Sequence, residues 1–151
     1  MDNPPIPVGR YADIAPVAGA PQRVHYHDAG QGPVVIFLHG AGGGASGYSN
    51  FKGNYPEFAA AGYRCIVPDM LGFGLSSKPD IPMYDLDFYL AGVKGLVDAL
   101  GLKDITFVGN SLGGAVALGY ALAYPAEVQR LILMAPGGVE DLDTYLAMPR
   151  S

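Results

Sequence analysis

The sequence predicts an α/β protein, a three-layer sandwich around a mostly parallel sheet of about six strands. Three observations predict it. From Val34 to Met134 short apolar runs alternate with helix-spaced segments, the signature of strand–helix–strand units with right-handed crossovers. Runs such as Val34-Val35-Ile36-Phe37-Leu38 and Ile105-Thr106-Phe107-Val108 are continuous, as strands covered on both faces are. Glycine (22 residues) and proline (13) concentrate between these segments, which marks tight connections and not disorder.

Taken in order, residues 1–22 are rich in proline and alanine and read as an N-terminal arm or an irregular first strand. Arg23-Val24-His25-Tyr26-His27 alternates polar with apolar, a half-exposed strand closed by the turn-formers Asp28 to Pro33. Val34 to Leu38 is a buried strand, followed by a glycine-rich stretch from Gly40 to Gly47 and a helix from about Phe51 to Ala61, stopped by Gly62. Cys65-Ile66-Val67 is the next buried strand, cut off by Pro68. Leu86, Leu90, Val93, Leu96, Val97 and Leu100 lie at helical spacing within Tyr84 to Leu100, with Gly101 as the stop. Ile105 to Val108 is another strand. Leu112 to Tyr124 is an almost wholly apolar helix ending at Pro125, and Val128 to Met134 is the last strand.

At 151 residues, half of them apolar, the chain has enough material for one domain with a sizeable core. A net charge of −5 without a Lys/Arg cluster argues against nucleic acid as a partner. The single cysteine, Cys65, excludes an internal disulfide and fits a reducing compartment. Met1 to Pro5 lacks the basic and apolar regions of a signal peptide, and no run approaches the roughly 18–20 apolar residues of a membrane span. The expectation is a cytoplasmic protein with no membrane partner.

The chemistry concentrates at Gly109-Asn110-Ser111-Leu112-Gly113, directly between an apolar strand and an apolar helix. In that context Gly-x-Ser-x-Gly is a sharp turn presenting a nucleophilic serine, with small residues on both sides relieving the crowding. The Leu112 N–H, at the helix start, is free to donate to an oxyanion. The bland reading is a serine capping a buried helix. His39-Gly40-Ala41-Gly42-Gly43-Gly44 follows the first buried strand and would supply a second oxyanion donor, the Ala41 N–H. A competing reading takes Gly42-Gly43-Gly44-Ala45-Ser46-Gly47 as a dinucleotide fingerprint with Asp69 as the ribose acid. Against it, Tyr48, Ser49 and Asn50 intervene before the expected helix.

His39-Gly40, then Asp69-Met70-Leu71-Gly72-Phe73-Gly74-Leu75-Ser76, then Gly109 to Gly114, resemble the α/β-hydrolase superfamily. Within it they look closest to the meta-cleavage-product hydrolases, which cleave a carbon–carbon bond in vinylogous diketone acids. The narrower resemblance is carried by Ser49-Asn50-Phe51 after the glycine run, the Asn110 to Gly114 elbow, and Met134-Ala135-Pro136-Gly137-Gly138; it runs from about Arg23 to Met148. It implies Ser111 as nucleophile and the Leu112 and Ala41 amides as oxyanion hole. Asn50 and Asn110 would lie beside the polar end of a small ester or diketone-acid substrate, while Gly42 and Gly43 admit that substrate close to the backbone. The resemblance implies no metal and no organic cofactor. His39 would be structural, bonding the loops that shape the oxyanion hole.

The sequence departs from that family in one respect that matters for chemistry. No histidine follows Ser111, where the family keeps its base, beyond a helical lid after the sixth strand. Residues 23–135 therefore look like the N-terminal part of a hydrolase core and 136–151 like the start of its lid, with the lid and last two strands missing. His39 is the candidate substitute base. Glu140, Asp141 and Asp143 stand where some members keep the acid, but an acid without a histidine completes no triad. His25 and His27 share a strand face before Asp28; a metal pair lacks a third ligand, so a solvated strand is the simpler reading. Asp69 is expected to tie down its own loop. Two alternatives to a serine hydrolase follow. One is a non-catalytic fragment assembling with itself or a complementary half along strand 128–134, and the other is a dinucleotide-binding module.

Overall fold

The computed structural model describes residues 5–135 and contains six strands and four helices among them. In chain order these are β1 (Arg10–Val17), β2 (Ala20–Ala29), β3 (Val34–Leu38), α1 (Gly47–Phe51), α2 (Tyr55–Ala60), β4 (Arg64–Pro68), α3 (Leu86–Leu100), β5 (Ile105–Asn110), α4 (Leu112–Ala123) and β6 (Val128–Met134). The strands form one sheet in the order β1-β2-β4-β3-β5-β6. Pairing is parallel among β4, β3, β5 and β6 and antiparallel for β1 with β2 and β2 with β4. The mostly parallel α/β sandwich expected from the sequence is borne out.

Alternation along the buried strands builds the two cores. Ile36 and Leu38 of β3, Ile66 of β4, and Ile105 and Phe107 of β5 face α3 and α4. Val35 and Phe37, Cys65 and Val67, and Val108 face α1 and α2, where Phe51 and Tyr55 meet them. Each fully buried aliphatic or aromatic side chain contributes about 1.5–3 kcal/mol of burial, so the central strands hold both helix layers. At the foot of the sandwich Lys94 of α3 bonds Glu127 at 3.1 Å and lies 4.4 Å from the Tyr124 ring centroid. Glu127 in turn accepts from the Tyr120 hydroxyl of α4 at 3.1 Å, tying α3, α4 and the turn before β6 together.

The structure agrees with the sequence reading at the first strand and departs from it in two other places. The segment read as an arm or irregular first strand holds β1, which is irregular as expected: its register with β2 shifts between Ile14 and Val17. Ala18 and Gly19 form a two-residue turn with φ of 54° and 77°, the doubly positive pair that matches strand twist. The strand from Arg23 to His27 is not half-exposed: β2 pairs on both edges, and His25, Tyr26 and His27 are all buried. The single helix expected over Phe51 to Ala61 is two short ones. Pro56 has no N–H and its ring would strike the carbonyl four residues back, so no helix runs through this point. The first piece starts earlier because Ser46 and Ser49 cap it reciprocally.

The approach of α4 to the sheet admits no side chain at Gly113, where an added Cβ would lie 2.0 Å from the Leu38 carbonyl oxygen. Gly113→Ala should therefore lower the unfolding free energy by about 3 kcal/mol or more in urea titrations. A loss under about 0.5 kcal/mol, the scale of an ordinary surface substitution, would refute this packing argument.

Candidate active site

The elbow is built from three contacts. β5 ends at Asn110, α4 begins at Leu112, and Ser111 between them has φ 53° and ψ −113°. A non-glycine residue in such a conformation costs about 1–3 kcal/mol unless its surroundings enforce it. Here the Ser111 N–H donates to the Met134 carbonyl at the end of β6 (3.0 Å), while its own carbonyl accepts from Gly114 (2.9 Å) and Ala115 (3.2 Å). The strand before and the helix after are crowded together: a Cβ on Gly109 would meet the Gly113 carbonyl oxygen at 2.5 Å. Ser111 is exposed and its hydroxyl makes no capping bond to α4, which removes the reading of a simple helix cap. Leu112 is the first residue of α4, so helical geometry gives its N–H no acceptor within the helix.

The glycine loop faces this elbow across an open cleft of about 430 Å³ lined by Gly40 to Ala45, Ser49, Asn50, Asn110 and Ser111. Asn50 braces the two walls. Its Oδ1 accepts from the Gly40 N–H (3.0 Å) and from Asn110 Nδ2 (3.0 Å). The Gly40 N–H can only donate, so the orientation of both amides follows from it. Sequence reasoning placed both asparagines beside a ligand; it did not foresee that Asn50 also joins the loop to the elbow.

His39 does not serve as the substitute base. It is fully buried, its Nδ1 donates to the Gly40 carbonyl at 2.7 Å, and its Nε2 accepts from the Met70 N–H at 3.0 Å. Both ring nitrogens are consumed in tying two loops, which leaves none to take a proton from Ser111. Burial first of all holds its pKa below the usual histidine value, against the raising effect of the Gly40 carbonyl and Asp69. His25 and His27 sit on β2, three strand positions from β5 or roughly 14 Å at ordinary strand spacing. Among the described residues no three metal-ligating side chains converge, and the pair is packed against Tyr11 and Tyr48 rather than solvated. Glu140, Asp141 and Asp143 lie outside the described residues. Cys65 is no rival nucleophile, since burial pushes its thiol up to about 11.

Asp69 ties down more than its own loop. Its Oδ1 accepts from the Gly47 N–H (2.9 Å), and its Oδ2 accepts from Leu75 N–H (3.0 Å) and His25 Nδ1 (2.9 Å). It is buried, with both oxygens occupied, so no carboxylate oxygen is left for a ribose hydroxyl. Tyr48, Ser49 and Asn50 do not separate the glycines from a helix, since α1 opens at Gly47 directly after them. The dinucleotide reading falls instead on this committed acid and on a helix of only five residues.

A parallel sheet ending in an exposed serine on a strained strand-to-helix elbow, opposite a backbone loop, defines the α/β-hydrolase class of proteins. The model of the alpha/beta hydrolase fold matches residues 33–149, and the chain belongs to this family. It is 50% identical over 120 residues to the 2-hydroxy-6-oxo-6-phenylhexa-2,4-dienoate hydrolase of Burkholderia cepacia, covering 78% of this chain and 41% of that protein. It is 46% identical over 130 residues to a 2-hydroxy-6-oxononadienedioate/2-hydroxy-6-oxononatrienedioate hydrolase of Comamonas testosteroni, covering 84% and 44%. The solved meta-cleavage product hydrolase of Pseudomonas fluorescens IP01 superposes with a TM-score of 0.77 at 37% identity, covering 86% of this chain and 46% of that one. The chain thus spans less than half the length of these relatives. Among the described residues no helix is long and apolar enough to cross a membrane.

The depressed His39 and His27 pKa values carry a sign. On acidification through about 6.5 the unfolded chain takes up protons at these side chains while the folded one resists, so stability is fully present above that pH and is lost below it. The urea midpoint should fall between about pH 7.5 and about pH 5.5, and His39→Gln should flatten that fall. An unchanged slope in the variant would mean that His39 is not held neutral.

Proposed function

We propose that this chain carries the nucleophile half of a serine hydrolase for an ester or an activated carbon–carbon bond of the meta-cleavage-product type. The observation that carries the reading is the exposed Ser111 hydroxyl on a strained elbow, at the floor of a cleft whose opposite wall is backbone. In this reading Ser111 Oγ attacks the substrate carbonyl, and the Leu112 and Ala41 N–H groups receive the developing oxyanion. Gly42 and Gly43, with open space where side chains would stand, let the substrate lie against the loop. Asn50 and Asn110 border its polar end. The Ser111 proton needs a base, and the three histidines of the chain do not provide one, so the base comes from a complementary segment.

A fluorophosphonate probe tests this directly. The 151-residue chain should be labelled slowly at Ser111 and Ser111→Ala not at all. Adding the C-terminal half of the Burkholderia cepacia relative should raise the rate by about 100-fold or more, the scale of general-base assistance. No labelling of folded protein, alone or with that half, would overturn the proposal.

A second reading, assembly without catalysis, is favoured by the β6 margin, where Ile132 and Met134 are exposed at 39% and 40%. An apolar strand at a sheet edge is a template for pairing. Light scattering at micromolar concentration should show self-association that Ile132→Lys weakens; a monodisperse monomer would count against it.

A further inference from the structure

The glycine loop that faces Ser111 is held at its two ends by consecutive residues of one segment. At its start, Met70 N–H bonds His39, whose other nitrogen bonds Gly40. At its end, Asp69 Oδ1 bonds the Gly47 N–H. Between these anchors the loop has one internal backbone bond, Ala45 N–H to the Gly42 carbonyl. Asn50 also accepts from the Gly40 N–H at the start of the loop, so it is at the Gly47 end that the loop's position depends on how firmly Asp69 is itself held.

His25 holds it. A carboxylate only accepts, so the 2.9 Å contact to Oδ2 is a donation from His25 Nδ1–H. A closed backbone circuit supports the pair: His25 N–H donates to Ser76 Oγ (2.9 Å), the Ser76 hydroxyl to the Asp69 carbonyl (2.6 Å), and Asp69 N–H to the His25 carbonyl (2.9 Å). All three residues are buried. The imidazole is fixed from behind by the Tyr11 and His27 rings at 5.1 and 5.2 Å, and by Gly9, where a Cβ would fall 2.2 Å from Nε2. Gly74 has the matching constraint, since a Cβ there would lie 2.3 Å from Asp69 Oδ2. What the ring adds is a third donor, after the Gly47 and Leu75 amides, that stops the carboxylate from turning.

We propose that His25 is a positioning residue: by fixing the Asp69 carboxylate it anchors Gly47 and so sets the Ala41 amide opposite Ser111. The proposal rests on the serine-hydrolase reading for its catalytic meaning but not for its geometry. Two readouts separate them. The first is amide hydrogen exchange by NMR on the whole chain, comparing wild type, His25→Phe (ring kept, donor lost) and His25→Asn (an amide N–H near the Nδ1 position). The Gly47 amide should exchange more slowly than Gly43 in wild type. His25→Phe should speed it by about tenfold or more, the effect of losing one charge-assisted bond, with Phe107 and Val108 of β5 still protected, and His25→Asn should restore it. The second is fluorophosphonate labelling of Ser111, which should fall and recover in the same order. A wild type that is never labelled defeats the serine reading alone, and exchange still judges the anchor. The proposal is overturned if wild-type Gly47 exchanges as fast as Gly43, if His25→Phe leaves Gly47 protected, or if His25→Asn does no better than His25→Phe. Should His25→Phe not fold, seen as lost β5 protection, the wild-type comparison of Gly47 with Gly43 decides.

Discussion

The Leu38 carbonyl and the backbone of Gly113 lie in contact with no room for a methyl group between them, and the geometry of the site descends from that contact. Because the first turn of α4 is pressed onto the end of β3, the chain leaving β5 must reverse within a single residue. That residue is Ser111, and its left-handed conformation is the cost of the reversal. The strain is enforced from both sides, by β6 through Met134 and by α4 through Gly114 and Ala115. A hydroxyl held this way cannot fold back to cap its own helix, so it is left facing the cleft.

The opposite wall depends on a different kind of interaction. The glycine loop has almost no bonds of its own, and such a segment would be mobile if only its sequence mattered. It is instead held at its ends by two buried side chains, His39 and Asp69, which bond backbone groups of the flanking loops and, for Asp69, His25. Their bonds are worth more than surface pairs because few solvent molecules compete for them. Asn50 then links this wall to the elbow. The geometry of the cleft is therefore distributed over β2, the loop after β4, α1 and β5, with apolar packing supplying the frame and polar contacts the alignment.

Much of the frame was readable in the residues. Continuous runs such as Val34 to Leu38 announce strands covered on both faces, and glycines flanking Ser111 announce a turn that nothing larger permits. The polar alignment was not readable. Asp69 and His25 stand 44 positions apart, and no local pattern links a histidine on one strand to a carboxylate after another. The same holds for His39, which looks like a base by residue type and proves to be a tie once both its partners are seen. The β1–β2 hairpin was obscured because Ala18 takes a positive φ that local preference assigns to glycine or asparagine. The Ser46–Ser49 capping pair departs from the usual serine–glutamate form and gave no helix signal upstream of Phe51.

The Lys94–Glu127–Tyr120 cluster has a consequence at the far edge of the sheet. Together with the bond from Ser111 to Met134 it pins β6 at both termini, while β5 fixes its register along the length. Among the described residues the outer margin of β6 is consequently an already ordered track. A strand arriving there would lose only its own conformational freedom, about 1–2 kcal/mol per residue, with no rearrangement of the host. Docking on such a track is governed by encounter and shape, in the way a mould receives a casting, and not by mutual folding.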